Sequence, residues 1–253
     1  MKTKFRISIL FCFLAIKVSA QNFTDTSSHR KIIFFVSVDG GVVYNFHSKN
    51  ETSAKIRHIS SSNGFIGLQG GIIYTNLCIT SGYYNYAYTA SAEYVDDEIK
   101  TKEQIFFSDA ITSYSRIPLT VGYRFSSGNK KFSFEPFLTA GIIFTSTSDI
   151  STTGGSKGLM LSSFDTITTE TSLSIMRPYK SAFFTGVGCK FNYQLKKLVF
   201  SLHAEYAQCN KVWTSLNATY KRTSTTAGVY SDQNSFTSNQ QSINSGISIS
   251  FLF

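Results

Sequence analysis

Residues 116–144 read RIPLTVGYRFSSGNKKFSFEPFLTAGIIF, and the two-residue rhythm of this stretch decides the fold. In its first ten residues Ile117, Leu119, Val121, Tyr123 and Phe125 share one face. Arg116, Pro118, Thr120, Gly122 and Arg124 share the other. Such alternation marks a β-strand with one apolar face. The polar run at 127–131 (SGNKK) is a tight turn, and the chain returns through a second alternating strand over 132–147.

Working outward, the same rhythm recurs in eight extended segments: 31–47, 64–75, 77–94, 113–126, 132–147, 179–193, 197–212 and 239–253. In the last, Ile247, Ile249, Phe251 and Phe253 alternate with Gly246, Ser248 and Ser250, and Leu252 breaks the pattern. Alternation alone does not say whether the apolar face meets a soluble core or lipid. The connections do. Three are tight, at Thr75-Asn76, 127–131 and 194–196. Four are long and polar, at 48–63, 95–112, 148–178 and 213–238, and the two kinds alternate strictly. Short turns on one side and long loops on the other characterise an outer-membrane barrel, with the turns periplasmic and the loops extracellular. The expectation is all-β: an up-and-down antiparallel transmembrane β-barrel of about eight strands. Ten is the alternative, if the partly alternating 148–178 segment adds a hairpin to the ring rather than a ribbon above the membrane.

Composition agrees. Of 253 residues, 23 are Phe and 14 Tyr, with only 3 Pro, and charged residues make up 15%. Aromatic and β-branched residues suit a pleated surface. Residues 1–20 read as a cleaved signal peptide: basic Lys2, Lys4 and Arg6, an apolar Ile7–Ile16 run, then Val18-Ser19-Ala20 before Gln21. The run is too short to span a bilayer as a helix, and bulky Phe11 before Cys12 argues against lipidation. Cleavage after Ala20 leaves 21–253 as one barrel domain. It removes four basic residues (Lys17 being the fourth) and lowers the net charge from +9 to +5. A mild, scattered charge gives no basis for nucleic-acid binding. Cys78, Cys189 and Cys209 remain, an odd and widely spaced set that is no disulfide framework. Without CxxC or His-rich clusters, neither metal nor cofactor is expected.

The polar face carries the charges Asp39, Arg116, Arg124, Glu135, Lys190, His203 and Glu205, interleaved with Gly67, Gly71, Gly82, Gly122, Gly141, Gly186 and Gly188. In a narrow barrel small residues make room for larger ones from neighbouring strands. The charges should pair across the lumen, Arg124 with Glu135 across the 127–131 turn, because an isolated ion there is poorly solvated. Pro118 and Pro136 each remove a ladder donor, so each should sit at a bulge or a strand end.

Three features invite chemistry. Ser201, His203 and Glu205 lie on one strand face about 6.8 Å apart, a nucleophile–base–orienter order that would suit a lipid hydrolase. That spacing is long for hydrogen bonds, and no nucleophile elbow supports it. Glu93, Asp96, Asp97 and Glu98 form an acidic loop cluster without calcium-loop spacing. The tyrosines of 83–88 (YYNYAY) are expected in an interfacial girdle, with a ligand-stacking platform as the alternative.

The 116–144 stretch, with Ile-Pro-Leu opening one strand, a lysine-rich turn and an aromatic-Glu-Pro strand ending in Ala-Gly, resembles the middle hairpin of the small outer-membrane β-barrel family that includes the PorT-like proteins. GVGCKFNYQLKKLVFSLHAEYA (186–207) resembles the hairpin that follows it. The tail ISISFLF, with Phe251 and Phe253, looks like the C-terminal signal read by the barrel-assembly machinery. The resemblance implies an eight-stranded barrel with both termini in the periplasm and outer-membrane lipid around it. It implies no catalytic motif, and a few family members assist protein secretion. The expected role is therefore a non-enzymatic barrel that is structural, or that binds a protein partner through its extracellular loops. A narrow channel for ions or small solutes is the second class, and a hydrolase using Ser201, His203 and Glu205 the third.

Overall fold

The structure is a computed structural model that describes residues 32–50, 56–59, 62–95, 105–129, 131–145, 151–162, 165–226 and 228–253. Residues 1–20, expected to be a signal peptide, residues 21–31, and Asp96, Asp97 and Glu98 lie outside them. Thirteen strands follow: β1 Ile32–Asn50, β2 Ile56–Ile59, β3 Ser62–Tyr74, β4 Leu77–Val95, β5 Ile105–Tyr123, β6 Phe125–Ser126, β7 Phe132–Phe144, β8 Ser151–Ser162, β9 Asp165–Met176, β10 Ser181–Leu195, β11 Leu198–Cys209, β12 Thr214–Ser224 and β13 Gly228–Leu252.

Eight of them form the wall, in the order β1-β3-β4-β5-β7-β10-β11-β13, and antiparallel pairing of β13 with β1 closes the ring. Val38 faces Ile249 across that seam, and the register runs from Phe35↔Leu252 to Asn50↔Ser235. Closure satisfies every wall strand on both edges, which is what allows β-structure to cross hydrocarbon. The ring therefore has eight strands and not ten.

The outward positions are apolar and stay exposed: Ile66 is 64% accessible, Leu202 62%, Ile247 60% and Phe191 59%. A band of this kind far exceeds the apolar patch a water-soluble monomer tolerates, and it fits the lipid-facing belt of a membrane barrel. Aromatic pairs rim its periplasmic end: Phe132–Tyr193 at 5.1 Å, Phe134–Phe191 at 5.0 Å and Phe251–Phe253 at 5.1 Å between ring centroids.

The tight connections sit at the periplasmic end. Thr75 (φ 57°) and Lys196 (φ 55°) take the left-handed conformation that reverses β3 into β4 and β10 into β11. The 127–131 turn is held by its own side chains: Asn129 Oδ1 accepts from Ser127 Oγ at 2.7 Å and from the Lys131 amide at 3.0 Å. The prolines need no bulge. Pro118 lies where the β4–β5 ladder skips the pairs between Ser81↔Leu119 and Tyr84↔Arg116. Pro136 faces the break between β5 and β6, between Gly122↔Phe137 and Phe125↔Phe134.

The long connections differ from expectation, because much of what reads as polar loop is strand. β4 and β5 run on past the band as a ribbon paired out to Val95↔Ile105. β8 and β9 pair as the ribbon above the membrane that the partial alternation of 148–178 allows, whereas β12 and the outer half of β13 form strand where the sequence reads as loop. β9, β12 and β13 pair side by side above β11, outside the ring. Asn234 Nδ2 donates to the Ile56 carbonyl at 3.2 Å, tying β13 to β2. Arg177, in the β9–β10 connection, donates from Nη1 to Ser113 O at 2.8 Å and Thr145 Oγ1 at 2.7 Å. Burial lowers the pKa of its guanidinium, while the Tyr88 and Tyr114 phenols act the other way.

Candidate functional site

The interior is built in three layers, and β1, β4 and β11 show the same succession. Upward from the periplasm β1 contributes Phe35, then Ser37 and Asp39, then Val43, while β4 contributes Cys78, then Thr80, then Tyr86 and Tyr88. On β11 Val199 is followed by Ser201, His203 and Glu205, then Ala207 and Cys209; on β10 Lys190 lies below Phe184. The bottom layer is a small apolar cluster of Phe35, Ile73, Cys78, Val199 and Leu252. Leu252, the residue that breaks the sequence pattern, thus turns inward to close the periplasmic mouth. The top layer is a larger core that includes Trp213, Tyr88, Tyr220, Leu216 and Phe236, all fully or almost fully buried. It is formed where β9, β12 and the outer half of β13 meet the upper parts of β4 and β5.

All seven predicted charges lie on the inner parity, as separate small groups: five around the polar middle, and the Arg124–Glu135 pair lower, at the level of Cys78. Glu135, 1% exposed, accepts from Arg124 Nε at 3.0 Å and Nη2 at 2.9 Å. Asp39 accepts from Ser37 Oγ at 2.9 Å and from the Tyr84 hydroxyl. Glu205 accepts from Asn244 Nδ2 at 2.8 Å, and Arg116 Nη1 lies 3.9 Å away. Arg116 donates from Nη2 to Ser242 Oγ at 3.1 Å, with its guanidinium carbon 4.8 Å from the Tyr86 ring centre and 4.7 Å from that of Phe184. Lys190 is the cross-strand partner of both Glu135 and His203, and its ammonium lies 5.4 Å from the Phe137 ring centre. A buried cation between aromatic faces recovers part of its lost hydration through cation–π attraction. Between these groups remains a chamber of about 40 Å³ bordered by Asp39, Tyr84, Arg116, Lys190, His203 and Glu205, room for a few waters at most.

The inner-face glycines are seats for these rings. A Cβ on Gly67 would run into the Tyr84 ring, well inside van der Waals contact. One on Gly188 would meet both the Phe137 ring and the Ala204 carbonyl oxygen in the same way. Only hydrogen fits beneath either ring.

Ser201, His203 and Glu205 do share one inward face, with Ser201 6% exposed. Glu205 and His203 nevertheless look to different neighbours. Glu205 is held by Asn244 and Arg116, while the His203 ring rests near Gly246 and 5.9 Å from the Phe65 ring centre. The 83–88 tyrosines correct the girdle expectation. Tyr83 alone faces outward, 49% exposed, with its hydroxyl 2.8 Å from Ser115 Oγ. Tyr84, Tyr86 and Tyr88 point inward, and Tyr86 stacks on Tyr114 at 4.9 Å and 3°. Parity would have placed them there, since they share the face of Thr80 and Gly82. Tyr84 and Asn244, which carry the hydrogen bonds of Asp39 and Glu205, were missed for want of the same step: Asn244 alternates with Gly246 and Ser248. Glu93 lies at the outer end of β4.

Among solved structures the chain is similar to a major outer membrane protein from Thermus thermophilus, at 11% identity over 88% of this chain and 100% of that one, with a TM-score of 0.43. It is also similar to the outer membrane protease OmpT from Escherichia coli (6% identity, 91% and 99% coverage, TM-score 0.32) and to the transport unit of the autotransporter AIDA-I from Escherichia coli (9%, 92% and 94%, 0.30). None of these likenesses bears on activity. No family model matches the chain, and no curated protein matches it.

Proposed function

We propose that this chain is a non-conducting, non-enzymatic outer-membrane barrel whose working surface is its extracellular β-sheet, held out to a partner in secretion or surface assembly. The observation that carries this reading is the layered interior. Apolar clusters lie at both ends, the Arg124–Glu135 pair stands beside the lower one, and each buried carboxylate is held by hydrogen-bond donors. A solute pathway would need a continuous hydrated lumen, which an eight-stranded ring filled by side chains does not offer. Above the band, by contrast, β8, β9, β12 and the outer half of β13 build an ordered sheet that the wall itself does not require.

The hydrolase reading is less well supported, because Glu205 is engaged by Asn244 and Arg116 rather than by His203. In this account outer-membrane lipid surrounds the band, and the assembly machinery reads the exposed Phe251 and Phe253 during biogenesis. The test is electrical: purified barrel in planar bilayers should leave the membrane silent. Stepwise conductance would overturn the reading in favour of the narrow channel.

A further inference from the structure

The extracellular sheet has two faces of opposite chemistry. On β12, Leu216, Ala218 and Tyr220 are buried in the upper core, while Ser215, Asn217, Thr219, Lys221 and Thr223 turn outward. The register lines these up with the outward residues on either side. Asn217 lies between Ser174 of β9 and Ser235 of β13, Thr219 between Ser172 and Gln233, and Lys221 between Glu170 and Ser231. Lys221 and Glu170 neutralise one another at 3.5 Å. Apart from them, Met176 and Val229, the outward positions of β9, β12 and the 229–237 part of β13 are hydroxyls and carboxamides.

Apart from Met176 at its edge, this face lacks the aromatic, Arg and Met anchors that give protein interfaces their affinity. Without net charge it offers nothing to a polyanion. It is dense in short side chains that both donate and accept hydrogen bonds, which is the chemistry a polyhydroxylated ligand requires.

Its position names the source of that ligand. The face continues the lipid-facing wall upward along a single strand. On β13 the outward residues Ile243, Ile247, Ile249, Phe251 and Phe253 are exposed and apolar, and Thr237, Ser235, Gln233 and Ser231 follow above them. With 25 residues at about 3.3 Å each, β13 is far longer than the roughly 10 residues that cross a bilayer. The change in chemistry therefore falls where acyl chains give way to headgroups.

We propose that the outward face of β9, β12 and β13 seats the core oligosaccharide of the surrounding outer-leaflet glycolipid. The inference rests on the reading that the extracellular sheet is the working surface, and it assigns that surface a ligand class.

The test reconstitutes the full chain in three kinds of vesicle: phosphatidylcholine alone, with lipopolysaccharide, and with the matching lipid A stripped of its saccharide core. The unfolding temperature is read by heat-modifiable gel migration. Lipopolysaccharide should raise it by several degrees and lipid A should not. The triple variant S172A/N217A/T219A should lose the increment while keeping the same migration in phosphatidylcholine. S235Y, which blocks the face by bulk rather than by removing donors, should lose it too. Equal stabilisation by lipopolysaccharide and lipid A, or an increment retained in both variants, would overturn the proposal. Either result leaves bilayer silence untouched, so a failure here is distinguishable from a failure of the non-conducting reading.

Discussion

The Arg124–Glu135 pair gives the interior its sharpest test. Glu135 is 2% exposed at its side chain and Arg124 16%, joined by two charge-assisted hydrogen bonds at 3.0 and 2.9 Å. Breaking a buried pair by removing one partner costs about 3–5 kcal/mol. Arg124 keeps some exposure at the periplasmic end, so E135Q, which retains an acceptor, should cost about 2 kcal/mol, roughly a thirtyfold change in the folding equilibrium. R124Q leaves the more deeply buried carboxylate with only Lys190 as a nearby cation and should cost somewhat more, about 3 kcal/mol. The double variant should cost about 3 kcal/mol in all, a coupling of about 2 kcal/mol. The assay is urea unfolding of the barrel refolded in lipid vesicles, with midpoint and slope taken for all four proteins. Additive costs, with a coupling below about 0.5 kcal/mol, would refute the pairing as a stabilising contact.

Four other outcomes follow from the same packing. G188A forces a methyl against the Ala204 carbonyl oxygen and the Phe137 ring and should destabilise by about 2–3 kcal/mol in the same titration, as overpacking does. Trp213 is the sole tryptophan and fully buried, so its emission should resist acrylamide in the folded barrel and become quenchable in urea; free quenching of the native protein contradicts the upper core. F253A removes the last aromatic of the periplasmic rim and should lower the amount of folded barrel recovered from membranes, measured by heat-modifiable migration. Lipid A incubated with the wild-type barrel should keep its acyl chains by mass spectrometry; deacylation lost in H203A would instead establish the hydrolase.

Most of the wall was legible because one physical rule, period two with charge on the inner parity, governs every wall strand. Ile117, Leu119 and Val121 face out and Arg116 and Thr120 face in, as the alternation of 116–125 requires. Arg124 and Glu135 could be paired in advance because a short turn fixes their register. The illegible part has two causes. In 214–224 the inward Leu216, Ala218 and Tyr220 are flanked on the same parity by Thr214, Arg222 and Ser224, so no clean apolar face marks the strand and it reads as polar loop. The tyrosines of 83–88 were assigned by residue type, which favours a girdle, when parity already placed three of the four inside. Contacts between distant strands, such as Asn244 with Glu205, depend on ring closure, which no local pattern encodes.

The central claim is a closed barrel that turns one face of β13 to lipid and the other to a filled interior. Single cysteines placed in turn at residues 247–252, in a chain with Cys78, Cys189 and Cys209 replaced, can carry a fluorophore and be challenged with brominated phospholipid in vesicles. The account predicts strong quenching at 247, 249 and 251 and little at 248, 250 and 252, the buried parity. Uniform quenching along the strand, or none at all with the protein recovered in the soluble fraction, would contradict it.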